Sequence, residues 1–346
     1  MEKHVADITI GCDLGDRVSE LFVISADGQV SRARVKTTPQ GFREGFTGPP
    51  AHVIIEVGPH SRWASRLLAE LGHTVTVANP RRLKLISAND SKTDRNDAEL
   101  LARLGRVDKA LLAPIEHRGA VAQADLAVAK ARDILVESRT RLINCARGMA
   151  KSAGALLPRC SAEAFHKKAR EHIPEMLRPA LDPLFATLEQ LDAAIRKHDQ
   201  EITRLASKYP EVEILSQPVG VGKLTALVFL LTLEDKGRFK SSRQVGAYLG
   251  LRPRRDQSGS SDKHLRITKA GDTFLRRLLV SCATYILGPR ARDSDLRRWG
   301  QELAKRGGKN AMRRARIAVA RKLAVLMHRL WVTGEVYEPL RQAAAA

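Results

Sequence analysis

The first third of the chain alternates between strand and helix patterns, and this alternation restricts it to an α/β fold. Five segments have apolar residues at every second position or in short continuous runs, as is typical of strands. The predicted order is three strands, a short helix near 40–46, a strand, a helix over 61–72, a strand and two helical stretches, the second over 94–104. The strand-like segments are residues 7–15, 19–25, 30–36, 52–58 and 74–77.

The middle of the chain has helical character and almost no strand signals. Apolar and small residues recur with alternating spacings of three and four over 121–149 and 184–205, which predicts an a/d seam in each segment. We expect a long helical hairpin or coiled coil. Packing within one domain and self-association both remain open, and His198 is interpreted as a polar residue that sets the register. The first seam comprises Val121, Ala124, Val128, Ala131, Leu135, Ser138, Leu142, Cys145 and Met149.

The last part of the chain is predicted to be mostly helical. A glycine turn leads into an apolar helix, a polar loop is expected over 252–264, and basic helices are expected near 271–287 and 310–331. The predicted domains are residues 1–115, 116–208 and 209–346.

The charge of the chain indicates a polyanionic partner. The sequence has 59 Lys and Arg against 38 Asp and Glu, a net charge of +21. Residues 251–346 hold 22 of these basic residues and 8 of the acidic ones, so +14 of the excess lies there. We interpret this footprint as phosphate binding to nucleic acid. Aromatic residues make up only 4% of the chain, which argues against a protein that works mainly by stacking on single-stranded bases.

The sequence predicts neither a membrane protein nor a secreted one. The longest apolar run, residues 224–233, is about half the length of a membrane span, and the first residues lack the apolar core of a signal peptide. The four cysteines are widely spaced, which favours reduced thiols over a zinc site or disulfides. We therefore expect a cytoplasmic, nucleoid-associated protein.

Four carboxylates are placed where they can converge. Asp13 ends the first predicted strand, Glu56 lies inside the apolar fourth strand, and Asp94 and Asp97 share one face of a helix. A carboxylate in a buried strand is costly unless it is neutralised or binds a cation. Oxygen ligands of this kind suit Mg²⁺ or Mn²⁺, and two such ions can stabilise both oxygens exchanged in phosphodiester cleavage.

The set Asp13, Glu56, Asp94 and Asp97, with SKTDRNDAELLARL around the last pair, resembles the DEDD motif of the insertion-sequence one-ten family of transposases. The segments QPVGVGKLTA, RFKSSRQVGAYLGLRPR, QSG and RITKAGDTFLRRLL resemble the C-terminal transposase domain of the same family. The middle of the chain resembles the family only in its helical character. The resemblance implies an RNase H-like domain similar to the RuvC resolvase, a coiled-coil region and a mostly α C-terminal domain.

The glycine turn of PVGVGKLTA can present backbone N–H groups to an anion. Gly220 and Gly222 precede a helix start, and Lys223 lies beside them. The turn is similar to a helix-hairpin-helix that binds a DNA phosphate, although a simple helix-entry turn has the same sequence. It is not a P-loop, because Leu224 follows the lysine.

The loop that follows is rich in serine, glycine and basic residues. From its chemistry alone an ordinary solvated loop is the simpler interpretation, but the resemblance assigns the family's nucleophilic serine, which directly precedes a glycine, to Ser258. In the family another glycine usually follows the Ser-Gly pair, whereas this sequence has Ser260 there and Ser261 after it. Both serines therefore remain alternative nucleophiles, and Tyr248 is a weaker alternative. Candidate phosphate-binding residues around the loop are Arg254, Arg255, Lys263, Arg266 and Lys269.

The resemblance implies a recombinase that excises and inserts its own element. It implies attack by Ser258 on DNA to give a covalent phosphoserine, with metal at the four carboxylates assisting. It also implies donor and target double-stranded DNA, a structured guide (bridge) RNA, and a homodimer or homotetramer. Two other functions stay open: a RuvC-like nuclease that activates water, and a non-enzymatic nucleic-acid binder.

Overall fold

The computed structural model describes residues 8–79, 93–258 and 261–341. The chain divides into two compact units, Met1–Arg118 and Gly119–Ala346. No helix in the described ranges is both long and apolar enough to cross a membrane.

The first unit is built on a five-stranded mixed sheet with the order β3-β2-β1-β4-β5. β1 pairs with β2 and β2 with β3 in antiparallel fashion, whereas β4 lies parallel to both β1 and β5. This mixed α/β sheet confirms the α/β fold class expected for the first unit. The first of the two helical stretches predicted after the fifth strand lies outside the described residues. The elements are β1 (Thr9–Asp13), β2 (Val18–Ile24), β3 (Val30–Lys36), α1 (Pro39–Gly45), β4 (His52–Glu56), α2 (Ser61–Glu70), β5 (Thr74–Ala78), α3 (Asp94–Val107) and a short 3-10 helix (Lys109–Leu112).

Different helices cover the two faces of this sheet. α1 and α2 pack on the face that carries Cys12, Leu21 and Ile55. α3 packs on the opposite face, against Phe22 and Ile24. Because side chains alternate along a strand, the residues next to Cys12 and Ile55, namely Asp13 and Glu56, belong to the α3 face.

α3 lies so close to β1 that residue 11 has no room for a side chain. A Cβ on Gly11 would lie 2.0 Å from the carbonyl oxygen of Ala98 and 2.6 Å from the amide nitrogen of Ala102. Glycine is therefore required here by a close approach of backbones. The contact sets the first turn of α3 beside the carboxyl end of β1.

The second unit begins with a pair of long helices packed against each other. The predicted second seam is the buried face of its helix: Leu188, Ile195 and Ile202 are all buried. Self-association through these helices stays a prediction. The elements of this part are α4 (Ala120–Ser152), α5 (Ala162–Lys168), two short 3-10 helices (Arg170–His172 and Glu175–Leu177) and α6 (Arg178–Ala206).

The buried face of α4 lies one residue further along than the predicted first seam. Ala122 and Ala150 are buried, whereas their neighbours Val121 and Met149 are 71% and 40% exposed. The buried face includes Arg139, which binds Asp192 of α6, and a hydrophobic pattern does not register a buried arginine. The predicted face of α4 is thus wrong by one position.

A buried ionic group joins α4 to α6. The Arg139 guanidinium donates to Asp192 Oδ1 at 2.6 Å and to Glu163 at 3.0 Å. The second oxygen of Asp192 lies 2.9 Å from His166 Nδ1. Asp192 is 2% exposed, so it neutralises an arginine that has no access to bulk water on that side.

The rest of the second unit surrounds α8, which is buried along almost its whole length. Two expectations are corrected here. The segment expected as a loop over 252–264 forms most of a β-hairpin, and a further helix, α11, lies between the two predicted basic helices. The elements are α7 (Glu211–Leu215), α8 (Lys223–Leu233), a 3-10 helix (Lys236–Arg238), α9 (Arg243–Tyr248), β6 (Pro253–Ser258), β7 (Ser261–Ile267), α10 (Thr273–Ile286), α11 (Asp295–Lys305) and α12 (Ala311–Thr333).

We predict that Asp192→Ala destabilises the helical pair severely, because it leaves the buried Arg139 charge without its main partner. Breaking one side of a buried ion pair costs about 3–5 kcal/mol. Urea unfolding followed by circular dichroism measures this loss.

Asp199→Ala is the matched control, since it removes the Arg132–Asp199 pair between the same helices, where Asp199 is 49% exposed. An exposed pair contributes about 1 kcal/mol or less. Equal losses in the two variants would contradict a stabilising role for the buried group.

Candidate active site

One pocket of the first unit contains all four predicted carboxylates. Its volume is about 300 Å³. It opens at the edge of the sheet where β1 and β4 end. Its lining residues are Asp13, Leu14, Gly15, Glu56, Val57, Gly58, His60, Asp94 and Asp97.

The strands place two of the carboxylates side by side. Asp13 is the last residue of β1 and Glu56 the last residue of β4. The two strands are parallel, and the preceding residues Cys12 and Ile55 are paired in register. The two acidic side chains therefore leave the sheet at the same edge and on the same face.

The first turn of α3 supplies the other two. Thr93 is the N-cap of this helix, and its hydroxyl accepts a hydrogen bond from the Asn96 amide at 3.3 Å. Asp94 is exposed, whereas Asp97 is 6% exposed and faces inward. The positive end of the helix dipole favours acidic side chains in this turn.

Negative charge in the pocket affects its neighbours. Burial, reinforced by the charge of Asp13, raises the pKa of the Cys12 thiol above its usual value. The Cys12 side chain lies in the core on the opposite face of the sheet, beneath α1 and α2.

The donor chemistry of the pocket fits a divalent cation. Its four carboxylates offer only oxygen atoms, the donors that Mg²⁺ and Mn²⁺ prefer. Within the described ranges, no group of three or more His, Cys, Asp or Glu side chains is arranged to hold a metal ion. The four carboxylates share one pocket, but among the described residues they do not close on one point.

Sequence reasoning missed His60. It lines the pocket four residues after Glu56. Its Nδ1 accepts a hydrogen bond from Trp63 Nε1 at 3.1 Å, and its Nε2 lies 3.7 Å from Asp16. The position of His60 just after a strand that ends in Glu56 could have predicted that it lines the pocket.

In the second unit, Ser258 ends β6 directly opposite Ser261 of β7. Its side chain and residues 259 and 260, including Ser260, lie outside the described part of the chain. A Gly-Ser pair between two strand-like segments is typical of a β-hairpin turn. The polar composition of both segments hid this signal in the sequence. The role of Ser258 stays a prediction.

The base of this hairpin is firmly held. Gly250 has a φ of +67°, and a Cβ there would lie 2.3 Å from the Ala270 amide nitrogen. The buried Arg276 donates to the carbonyl oxygens of Leu249 at 3.1 Å and Ala270 at 2.7 Å. The strands therefore project from a fixed anchor.

Basic side chains lie along the described part of the hairpin and its base. Arg254, Arg255, Arg266 and Lys269 are exposed. The Lys263 side chain lies outside the described residues. Phosphate binding by this set stays a prediction.

Tyr248, the weaker candidate nucleophile, is packed at the end of α9. Its ring lies 5.3 Å from that of Phe239, edge to face, and the Arg238 guanidinium lies 5.1 Å from its centroid. The choice between Ser258 and Tyr248 stays a prediction.

The glycine turn has the geometry expected of a sharp helix entry. Gly220 has a φ of +83°, Gly222 is the N-cap of α8, and Lys223 is the first, exposed residue of that helix. DNA contact by these three residues stays a prediction.

Comparison with known proteins identifies the family. The model described as Transposase IS116/IS110/IS902 family matches residues 212–297, and a second transposase model, for the IS110-type DEDD domain, matches residues 10–153.

Among curated proteins, the transposase for insertion sequence element IS1111A of Coxiella burnetii is 30% identical, covering 97% of this chain and 93% of its own length. A probable family 20 transposase of Pseudomonas aeruginosa is 28% identical over 95% of this chain and 98% of its own length. The pilin gene-inverting protein of Moraxella lacunata is 25% identical over 68% of this chain and 67% of its own. The chain therefore belongs to the IS116/IS110/IS902 family of transposases.

Proposed function

We propose that this transposase cuts and rejoins DNA through a covalent phosphoserine intermediate, with a divalent cation bound by Asp13, Glu56, Asp94 and Asp97. The observation that carries the proposal is the convergence of these four carboxylates around one pocket. Families of this kind act on DNA, and the net charge of +21 suits a polyanionic substrate.

Ser258 is the proposed nucleophile. Its hydroxyl oxygen forms a bond to the phosphorus while the bond from phosphorus to one DNA oxygen breaks, and the serine proton passes to the departing oxygen. The phosphoserine ester stores the energy of the broken bond for rejoining, so ATP is not required. A free serine is a weak nucleophile, so the reaction needs stabilisation of charge on the phosphate.

When bound, Mg²⁺ or Mn²⁺ would supply Lewis-acid stabilisation of that charge. Asp13, Glu56 and Asp97 are the proposed ligands closest to the sheet, and Asp94 is the more exposed fourth. Arg254, Arg255, Lys263, Arg266 and Lys269 are proposed to hold DNA phosphates near the serine, and Gly220, Gly222 and Lys223 a further one.

A second candidate function is a RuvC-like nuclease that uses water. The mixed sheet with carboxylates at the ends of β1 and β4 supports it equally well. In that case the serine hairpin would be structural. A non-enzymatic binder is less well supported, because all four carboxylates are present.

Guidance by a structured RNA is proposed from the family resemblance, with donor and target duplex DNA as the other nucleic-acid partners. A homodimer or homotetramer is also proposed. It is supported by the apolar side chains that α4 leaves exposed, Val121, Ile134 and Met149.

For the metal assignment, we predict that Asp13→Asn and Asp97→Asn each abolish Mg²⁺-dependent DNA cleavage and strand transfer while the protein stays folded. Each removes one charged ligand and also relieves repulsion in the pocket. Asp16→Asn is the matched control, since Asp16 is 99% exposed beside the pocket and should keep full activity. Full activity in both ligand variants would sink the metal assignment.

For the nucleophile, Ser258→Ala should lose both the protein–DNA adduct and strand transfer but keep nucleic-acid binding. Ser260→Ala and Ser261→Ala should keep partial activity. A denaturing gel with labelled DNA, followed by mass spectrometry of the linked peptide, reports the adduct. Mapping to Ser260, Ser261 or Tyr248 would move the active site, and efficient cleavage with no adduct would favour the nuclease.

For DNA affinity, the excess of +14 in residues 251–346 predicts a strong dependence on salt. If about six to ten phosphates are neutralised, affinity for duplex DNA should fall by about 10³-fold or more between low and moderate salt. Fluorescence anisotropy over a salt series measures the slope. A flat response would contradict phosphate binding as the main source of affinity.

A further inference from the structure

A carboxylate held between two arginines adjoins the acidic pocket. Glu20 of β2 binds Arg34 of β3 at 2.6 Å and lies 4.0 Å from Arg95 of α3. Glu20 is the register partner of Asp13 on the α3 face of the sheet, and Arg95 directly follows Asp94. We call Glu20, Arg34 and Arg95 the first rung.

The same arrangement repeats one step away from the pocket. Glu99 of α3 binds Arg32 of β3 at 2.6 Å and Arg103, one helical turn on, at 2.8 Å. The Arg32 and Arg103 guanidinium groups lie 5.2 and 5.7 Å from the ring centroid of Phe22, which fixes their position. We call Glu99, Arg32 and Arg103 the second rung, and the two rungs together the arginine ladder.

The arginines of the ladder face solvent while their carboxylates do not. Side-chain exposure is 48–60% for the four arginines, against 14% for Glu20 and 27% for Glu99. Each rung therefore carries one positive charge in excess, presented outward. Exposed ion pairs add little stability, so a purely structural role does not account for two arginines on each carboxylate.

The spacing of the rungs suits a phosphate chain. Residues two apart on a strand, such as Arg32 and Arg34, are separated by about 7 Å. That step is close to the separation of successive phosphates along an extended nucleic-acid strand. A guanidinium fork can bind a phosphate through two parallel hydrogen bonds.

We propose that the arginine ladder binds successive backbone phosphates of the DNA strand that enters the acidic pocket, with Glu20 and Glu99 as positioning residues that hold the arginines outward. The proposal rests on the proposed function, because it takes the strand to be the one that this pocket cleaves. It offers a route by which a polyanion approaches four carboxylates, because Arg34 and Arg95 place positive charge on Glu20, the register partner of Asp13.

A binding measurement under conditions that prevent cleavage tests whether the arginine ladder binds phosphates. The full chain carries Asp13→Asn and is kept in EDTA, and its affinity for a labelled DNA duplex and for a stem-loop RNA of equal length is measured over a salt series. The ladder variants are Arg34→Gln/Arg95→Gln and Arg32→Gln/Arg103→Gln. The matched control is Arg43→Gln/Arg62→Gln, on the helices that cover the opposite face of the sheet.

Each ladder variant removes one rung, and therefore one phosphate contact, so it should lower the slope of log affinity against log salt for duplex DNA by about one, while the control keeps its slope. Slopes equal to the control would overturn the proposal. A slope that falls for the RNA alone would overturn the assignment to DNA.

If a glutamine variant fails to fold, Arg34→Lys/Arg95→Lys keeps the charge and removes the fork. It should bind DNA more weakly at an unchanged salt slope, and unchanged affinity would overturn the proposal. If the wild type cleaves DNA and the ladder variants bind DNA as tightly as the wild type, the phosphate-binding role of the ladder is refuted and the proposed function stands. A chain that never cleaves would refute the proposed function and leave the binding result standing.

Discussion

The approach of α3 to β1 is the contact on which the acidic pocket depends. Because Gly11 has no side chain, the backbone of α3 packs directly against β1. A Cβ on residue 11 would lie 2.0 Å from the Ala98 carbonyl oxygen. The first turn of α3 then faces the ends of β1 and β4. Any larger residue at position 11 would lift the helix and separate Asp97 from Asp13.

A pocket of carboxylates in a basic protein poses an electrostatic problem for its own substrate. DNA phosphates are repelled by Asp13, Glu56, Asp94 and Asp97 unless positive charge intervenes. A divalent cation would neutralise the ligands themselves, and arginines at the margin would attract the neighbouring phosphates. The cation and the arginines would both act within the first unit, whereas most of the net positive charge lies in residues 251–346.

The sequence predicted the sheet and its carboxylates well, because both follow from short-range patterns. Alternating apolar residues located the strands, and Glu56, a glutamate inside an apolar run, lies at the pocket as its position in the fourth strand predicted. It failed on α4, where the buried Arg139 depends on a partner, Asp192, more than fifty positions away. The sequence also indicated a loop for the segment that contains Ser258, because that segment is polar and has no apolar alternation typical of a strand.

The proposed function depends on the binding of a divalent cation by the four carboxylates together. Titration of the full-length protein with Mn²⁺, followed by the loss of free-ion signal in electron paramagnetic resonance, measures this directly and needs no DNA substrate. We expect saturable Mn²⁺ binding to the wild type and to Asp16→Asn, and loss of that binding in Glu56→Gln/Asp94→Asn with the circular dichroism spectrum unchanged. Equal Mn²⁺ binding by the folded double variant and the wild type would contradict it.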